Sequence, residues 1–405
     1  MVHALILAAA TAYPTAFSAL SVKAAEALAI TNSPDVRGAA ARVAQSEAAL
    51  AAARGSVGPA AFANYSQSPQ AGLTNNTVLQ QLTTVGAQVT MGDLLSYTPQ
   101  VQAAQAALRG SRADLLSAQA TERTKVLAFY YDALRAVATY DVRATALSVA
   151  QADRRAAQVR FDAGDAPRLD VVRAAVAVAR ATADLATAQA ERDNALAALG
   201  VETGMPAGTL SAVASTPPQT TVPTPESAVR RALELRPEIA SAQAAVKTER
   251  AAVSSAALAV LPAVTAQVGY THGTDTGIPV AGASANVTVT LPLSASSVSR
   301  TDLERARLTE AEAKLAAQER EITVDVAAAV RTFDADRRAS DAARAARIAA
   351  ETELAATETG YRNGASSSLD VASARQTYNE AVLDELSAYY AQMEAQETLD
   401  VLMGS

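Results

Sequence analysis

The chain has 405 residues and a formal net charge of −7, with 34 Lys and Arg against 41 Asp and Glu; that balance supplies no basic face and excludes nucleic acid as a partner. Cysteine is absent, which excludes disulfides, thiolate metal sites, cysteine nucleophiles and a lipid-modified N-terminal Cys. Half of the residues are hydrophobic, yet aromatics make up 4 % and tryptophan is missing, so the hydrophobicity is largely alanine and suits narrow helix-on-helix packing rather than a large compact core.

The chain opens with "MVHALILAAATAYPTAFSALS": a short apolar run, Pro14, then small residues, with Ala16-Phe17-Ser18 as a candidate cleavage motif. Residues 1–19 therefore read as a secretory signal peptide, although one without a basic start. No run of 18 or more apolar residues follows, so no transmembrane helix is expected. The first structural unit, 20–205, begins with an Ala-rich helix over about 21–55 that ends near Gly58-Pro59. Two stretches of strand character, 60–68 and 82–92, are separated by the turn-forming "SPQAGLTNN". A long helix, 99–163, comes next. Its Val126, Tyr130, Ala133, Val137, Tyr140, Ala144 and Leu147 step by four and three, as a coiled-coil seam does. Roughly 64 residues of helix make a rod on the order of 95 Å. A return helix is expected over 168–199. The Pro/Thr-rich segment 206–224, with "STPPQTTVPTPES" at its core, reads as a linker.

The second unit, 225–404, repeats the order. A helix over about 225–258 ends near Leu261-Pro262, strands follow at 263–272 and 280–292 around "GTDTG", then a long helix 300–363 and a return helix 368–402. Asn286 to Leu291 alternate polar and apolar, as a strand with two different faces should. The charged residues along the helices alternate in sign, which reads as a solvated helix face. In each half the first and last helices are about half as long as the middle one, which suggests one long helix beside two short ones stacked along it.

Matched residues support the duplication. Pro34 corresponds to Pro237, Pro59 to Pro262 and Asp35-Val36 to Glu238-Ile239. The turn "RFDAGDAPRLDVVRAA" recurs as "YRNGASSSLDVASA": Phe161 matches Tyr361, Gly164 matches Gly364, and Leu169-Asp170-Val171 matches Leu369-Asp370-Val371. Each glycine most simply closes its helix in the left-handed conformation. Asp165-Ala166-Pro167 and Ser366-Ser367-Ser368 then start the next helix, by Pro in the first turn or by Ser capping. The Gly-x-x-x-x-Gly-Lys of a phosphate loop is absent. His3 and His272 are the only histidines, and neither a Ser/His/Asp arrangement nor a metal-ligand spacing is present. No catalytic, cofactor or metal site is expected, and the chain reads as a non-enzyme.

The tandem order, the paired prolines and the doubled [F/Y]-x-x-G-x-x-x-x-L-D-V turn resemble the TolC-like outer membrane efflux proteins over about Leu20 to Gly404. The resemblance implies a mainly α fold with membrane β: a long antiparallel α-helical coiled-coil barrel, plus four strands per chain contributing to a trimeric twelve-stranded β-barrel. It implies a homotrimer in the outer membrane with its helices in the periplasm. Such a trimer is a passive exit duct in a tripartite efflux or type I secretion system, fed by an inner-membrane transporter through a periplasmic adaptor (a membrane fusion protein). Residue by residue, it places a periplasmic gate at Asp170, Tyr361, Asp370 and Ser373. It places an adaptor-docking tip at Gly164, Leu169, Gly364, Ala365, Ser366 and Leu369. A Tyr361–Asp170 hydrogen bond is implied as a closing link. The family's usual arginine is Ser366 here and its second acid is Ser373, so a weaker closure and a smaller acidic ring are expected. Physical reasoning agrees on oligomerisation, because four strands cannot close a barrel and open strand edges are not tolerated in lipid. Phe62, Tyr65 and Tyr270 are candidates for the membrane interface, or for ordinary sheet packing. The competing reading is a structural or scaffolding coiled-coil protein with no membrane part.

Overall fold

The structure, a computed structural model, describes residues 20–56, 58–71, 77–205, 222–275, 278–291 and 295–404. The leader expected over 1–19, most of the expected linker (206–221) and the hairpin tips 72–76 and 276–277 lie outside the described residues.

Both halves run through the same order of elements. The first half comprises α1 (Val22–Asn32), α2 (Pro34–Gly55), β1 (Ala60–Ala71), β2 (Thr77–Thr90), α3 (Met91–Asp162) and α4 (Arg168–Thr203). The second comprises α5 (Pro225–Leu235), α6 (Pro237–Leu258), β3 (Ala263–Asp275), β4 (Ile278–Thr290), α7 (Ala295–Arg362) and α8 (Ser368–Leu402).

Several expected boundaries are corrected. The helices anticipated as unbroken over 21–55 and 225–258 are each two helices. Ser33 and Arg236 sit at ψ 127° and 130°, because the ring of the next residue, a proline, excludes the helical region. Their N–H groups still close the preceding helix on Ala29 and Ala232, at 2.8 and 2.9 Å. Pro34 and Pro237 then open the next helices, where a missing N–H costs nothing. The long helices begin at Met91 and Ala295 rather than at 99 and 300. Pro99 therefore lies inside α3, close enough to its start that the helix runs on past the lost bond. The strands also extend further into their hairpins than expected. Pro69 and Pro279 lie on β1 and β4, the two edge strands, where a missing N–H is tolerated.

Contacts divide the chain into two compact units, each drawing on both halves: Met1–Arg37 with Ala118–Arg236 and Ile322–Ser405, and Gly38–Ser117 with Pro237–Glu321. The first unit is helical. Its core gathers Leu20, Ala25 and Ala29 with Val126, Leu127, Tyr130, Tyr131 and Leu134 of α3, Leu199 of α4, and Met393 and Val401 of α8. Of the seam expected on α3, Val126, Tyr130 and Ala133 are buried, and Val137, Tyr140, Ala144 and Leu147 are half-buried. On α7, Ile322, Val326, Val330 and Phe333 repeat the buried stripe at steps of four, four and three. The Tyr130 hydroxyl donates to the Leu20 carbonyl at 2.8 Å, and burial pushes its pKa up to about 12.

The same closure recurs in both halves of this unit. Gly204, at φ 70°, follows α4, and a Cβ there would come within 2.6 Å of Asn32 Nδ2 at the end of α1. Asn32 Nδ2 in turn donates to the Thr203 carbonyl at 2.8 Å. Gly404, at φ 81°, lies against Leu235 at the end of α5.

The second unit carries a four-stranded antiparallel sheet in the order β1-β2-β3-β4. Directly paired residues share a face, so the register sorts the side chains. One face is apolar. It carries Ala61, Ala63 and Tyr65 of β1; Val85, Ala87 and Val89 of β2; Val264, Ala266, Val268 and Tyr270 of β3; and Ala281, Ala283, Ala285, Val287 and Val289 of β4. The other face is polar across its middle, with rows Ala60–Gln88–Gln267–Asn286, Phe62–Gly86–Gly269–Ser284 and Asn64–Thr84–Thr271–Gly282. Tyr65 and Tyr270 stand exposed on the apolar face, whereas Phe62 lies half-buried over Gly86 on the polar one.

Two glycine substitutions should move stability in opposite directions. Gly204→Ala imposes a left-handed conformation on a side chain, costing about 1–2 kcal/mol, and pushes into Asn32. Gly38→Ala, inside α2 with nothing within 4 Å of the new methyl, should gain about 1 kcal/mol. Thermal unfolding in detergent should show the first variant melting below the parent and the second above it.

Candidate functional site

The matched turns are both helix closures of one type. In the first, Gly164 stands at φ 83°. Its N–H bonds to the Phe161 carbonyl at 3.0 Å and that of Asp165 to the Arg160 carbonyl at 2.8 Å. In the second, Gly364 stands at φ 74°, with Gly364 N–H on Tyr361 at 3.1 Å and Ala365 N–H on Gly360 at 2.7 Å. These paired six-to-one and five-to-two bonds form the Schellman motif, which needs a left-handed residue at that position. Nothing lies within 4 Å of a Cβ built on either glycine, so conformation rather than space demands glycine there. Ser366 is more confined, since its hydroxyl would meet a Cβ at Gly360 at 2.5 Å.

The two aspartates of the Leu-Asp-Val pair do different work. Asp370 closes a capping box at the start of α8. Its Oδ2 accepts from the Ser367 N–H at 2.7 Å and the Ser367 hydroxyl at 2.8 Å, while Asp370 N–H donates back to Ser367 Oγ at 3.2 Å. Those two bonds from Ser367 hold its carboxyl below the ordinary range although it is exposed. Asp170 has no such box, because Pro167 at the start of α4 supplies no side-chain cap. It reaches the other turn instead, accepting from the Ser368 hydroxyl at 3.0 Å, with Arg173 of its own helix 3.8 Å away.

Two arginines add further links between the halves. Arg160 Nη1 donates to the Tyr361 hydroxyl at 2.6 Å, and its guanidinium lies over the Tyr361 ring, 5.4 Å from the centroid. Arg375 on α8 pairs with Asp153 on α3 and, at 2.5 Å, with Glu358 on α7. The structure thus brings the two turns together but rewires the expected closing link. Tyr361 and Asp170 are not bonded to each other: the phenol takes a charged donor, the stronger partner, and the carboxylate takes the serine within reach. Arg160 supplies a guanidinium to the turn pair, where Ser366 has none. Local pattern does not single it out, since it precedes the glycine by four residues and matches Gly360 rather than another arginine. Ser373 is exposed on α8, and its carbonyl accepts from the Thr377 hydroxyl at 3.2 Å. Leu169 and Leu369 are 53 % and 59 % exposed, two apolar side chains held in solvent at the same step of each turn.

The second unit has an open groove of about 570 Å³ lined by Asp114, Glu238, Arg307, Glu310 and Lys314 among others. Its charges satisfy one another and their neighbours. Lys314 pairs with Glu310 at 2.6 Å and Arg307 with Glu304 at 3.0 Å, while Glu238 and Asp114 accept from Ser117 and Ser241. This pattern is that of solvated helix faces. Among the described residues no cluster of three or more His, Asp or Glu is placed to hold a metal ion, and no helix is long and apolar enough to cross a membrane.

With this geometry in hand, comparison with known proteins is informative. The sequence profile described as "Outer membrane efflux protein" matches twice, over residues 27–204 and 228–405, once per repeat. No curated protein matches the sequence. Among solved structures the chain is similar to a membrane protein from Pseudomonas aeruginosa, with TM-score 0.80, 19 % identity, and coverage of 97 % of this chain and 98 % of that one. It is also similar to the Campylobacter jejuni CmeC outer membrane channel (TM-score 0.77, 16 % identity, 95 % and 85 % covered). A third similar structure is the open state of the Neisseria gonorrhoeae MtrE outer membrane channel (TM-score 0.75, 19 % identity, 95 % and 89 % covered). At these identities the likeness speaks for the fold.

The cap of α8 gives a pH-dependent expectation. Asp370 has a depressed folded pKa, so its stabilisation is present above the unfolded carboxyl value and is lost as pH falls through the folded one. Hydrogen exchange in the first turn of α8 should therefore speed up, relative to the rest of the helix, on acidification below about pH 4. Asp370→Asn should exchange fast already at neutral pH, and Ser367→Ala should cost about 1 kcal/mol. Equal protection in parent and Asp370→Asn at pH 7 would show that the box contributes nothing.

Proposed function

This chain belongs to the outer membrane efflux protein family, and from that premise we propose that it is the passive outer-membrane duct of a tripartite efflux or type I secretion system. The observation that carries the reading is the sheet. Its mainly apolar face runs from the Val264–Val289 row up to the Tyr65–Thr83–His272–Ala281 row that bounds it, roughly 27 Å along a strand, or about 20 Å once tilted as barrel strands are. That approaches the apolar band of an outer-membrane barrel, and its neighbour face is polar, as a lumen lining should be. A soluble scaffold would have no reason to expose so continuous an apolar surface.

In this reading, three copies close one barrel, since β1 and β4 each leave an edge unpaired within the chain. The strands lie in the outer membrane and the helices reach into the periplasm. The paired turns form the periplasmic tip, where a periplasmic adaptor and, through it, an inner-membrane transporter would dock. Leu169 and Leu369, with the small Gly164, Gly364, Ala365 and Ser366 around them, suit contact with the apolar residues of partner helix tips. The protein supplies no chemistry of its own; it selects by aperture and charge. Asp370 is the exposed acid nearest the tip's second turn and would set cation preference, with Ser373 leaving that ring without a second acid. Arg160–Tyr361, Ser368–Asp170 and Arg375–Asp153–Glu358 would hold the tip closed. A hydrogen bond to a charged group contributes roughly 1.5–3 kcal/mol when shielded from water.

Purified protein should run as a heat-modifiable trimer from the outer-membrane fraction and conduct in planar bilayers. Arg160→Gln combined with Asp153→Asn should raise single-channel conductance, and Asp370→Asn should lower cation preference. Conductance identical to the parent in the double variant would move the gate elsewhere. Leu169→Asp with Leu369→Asp should abolish pump-dependent export while leaving trimers and conductance intact; unimpaired export would remove the docking role. An epitope inserted after Asp275 should be detected on intact cells. Detection only after permeabilisation would invert the topology.

A further inference from the structure

On the polar face of the sheet, the row Phe62–Gly86–Gly269–Ser284 is unlike its neighbours. It has a ring at one end, two residues without side chains in the middle and a small hydroxyl at the other end. The ring of Phe62 leans onto the glycines: its Cζ and Cε1 lie 2.7 and 2.8 Å from where a Cβ at Gly86 would be, and its Cζ lies 3.7 Å from one at Gly269. No side chain can be added at Gly86, because its Cβ would also come within 2.3 Å of the Val268 carbonyl oxygen. The adjacent row toward the helices presents Gln88, Gln267 and Asn286, and the row toward the hairpins presents Asn64, Thr84 and Thr271. Thr84 and Thr271 are joined by a hydroxyl–hydroxyl bond of 3.0 Å. The result is a shelf made by the Phe62 ring seated over glycine backbone, with amides on one side and hydroxyls on the other. Among the described residues Phe62 is the one aromatic on this face; Tyr65 and Tyr270 are on the other. The face also carries no fixed charge except Asp275, at the hairpin end of β3.

We infer that this shelf is a contact site for planar aromatic cargo bearing hydrogen-bonding edges, with Phe62 as the specificity-determining residue. The inference rests on the reading above, that the polar face lines the conduit. A ring seated on backbone keeps one π face toward the lumen, where a passing planar molecule stacks on it. With no side chains at Gly86 and Gly269, the ring sits low against the sheet and leaves room above it for that molecule. The amides and hydroxyls meet its polar edge without selecting on charge. Three copies would place three such shelves around one lumen. A purely structural role is the alternative: an aromatic side chain covering glycines in a neighbouring strand protects their backbone bonds.

Two measurements on the full-length trimer separate these roles. In planar bilayers, 1-methylnicotinamide, a planar aromatic cation with an amide edge, should interrupt the current with a residence time that falls roughly tenfold in Phe62→Leu and is kept in Phe62→Trp. Hydrated magnesium ion, a cation with neither a π face nor an apolar surface, should behave alike in all three. Leucine still covers the glycines, so equal 1-methylnicotinamide residence in parent and Phe62→Leu assigns Phe62 to backbone cover and overturns the shelf. The chain has no tryptophan, so Phe62→Trp places one tryptophan in each chain of the detergent-solubilised trimer, excitable apart from the tyrosines. Saturable quenching by 1-methylnicotinamide is expected there; quenching that rises linearly, as with acrylamide, overturns the proposal even if Phe62→Leu fails to assemble. A trimer that never conducts, yet quenches saturably, would defeat the conduit reading and keep the site.

Discussion

Backbone N–H and C=O groups cannot be left unpaired in hydrocarbon, and a sheet of four strands leaves two rows of them unpaired at its edges. That mismatch governs the rest of this molecule. In the proposed duct, the mainly apolar face of the sheet meets lipid. Neither β1 nor β4 can close onto the other within one chain, because four strands are too few to form a barrel. On that reading closure comes from further copies, and their number sets the width of what the strands enclose. The prolines fit the same constraint. Both prolines within the sheet lie on the edge strands near the hairpins, where a missing donor is least costly.

Duplication supplies the framework, and the two copies depart from it at the paired turns. The break at Ser33 and that at Arg236, the closures at Gly204 and Gly404, and the Schellman turns at Gly164 and Gly364 are the same solution used twice. Each is fixed by a proline or by a glycine with positive φ, which are requirements of backbone sterics and independent of context. At the tip the copies diverge. The position four before the glycine is Arg160 in one half and Gly360 in the other, and the residue next to it is Phe161 or Tyr361. A charged donor from one half therefore meets a hydroxyl from the other, 2.6 Å apart, a link that two identical copies could not make.

The duplication, the element order and the two-faced strands were legible in the sequence because they rest on periodicity and on Pro and Gly. The splitting of the first helix in each half was equally available there. Pro34 and Pro237 mark the repeat, and each also bars the residue before it from the helical region. The partners at the tip were not legible. Arg160 and Tyr361 are 201 positions apart, as are Arg375 and Asp153 at 222. Nothing in local pattern says which of several charges on an exposed helix turns toward a neighbour. Ser368 is a case in point. It read as one of three serines able to cap α8, yet Ser367 takes the cap and Ser368 crosses to Asp170.

That division of labour explains why the same Leu-Asp-Val occurs twice. An aspartate in the first turn of a helix is favoured by the dipole wherever it occurs, so both halves retain it for a local reason. What the carboxylate does next depends on what precedes it. Three serines before Asp370 offer a hydroxyl and an N–H at capping distance, and the group is consumed by its own helix while its outer side stays exposed. Before Asp170 stands Pro167, which has no N–H and no polar side chain to give, so the carboxylate is left with unused acceptor capacity. It is then free to bind across the turn pair. Proline in place of serine just before the helix thus goes with a strut in place of a cap. Of the matched pair, one aspartate stays exposed and the other links the two turns.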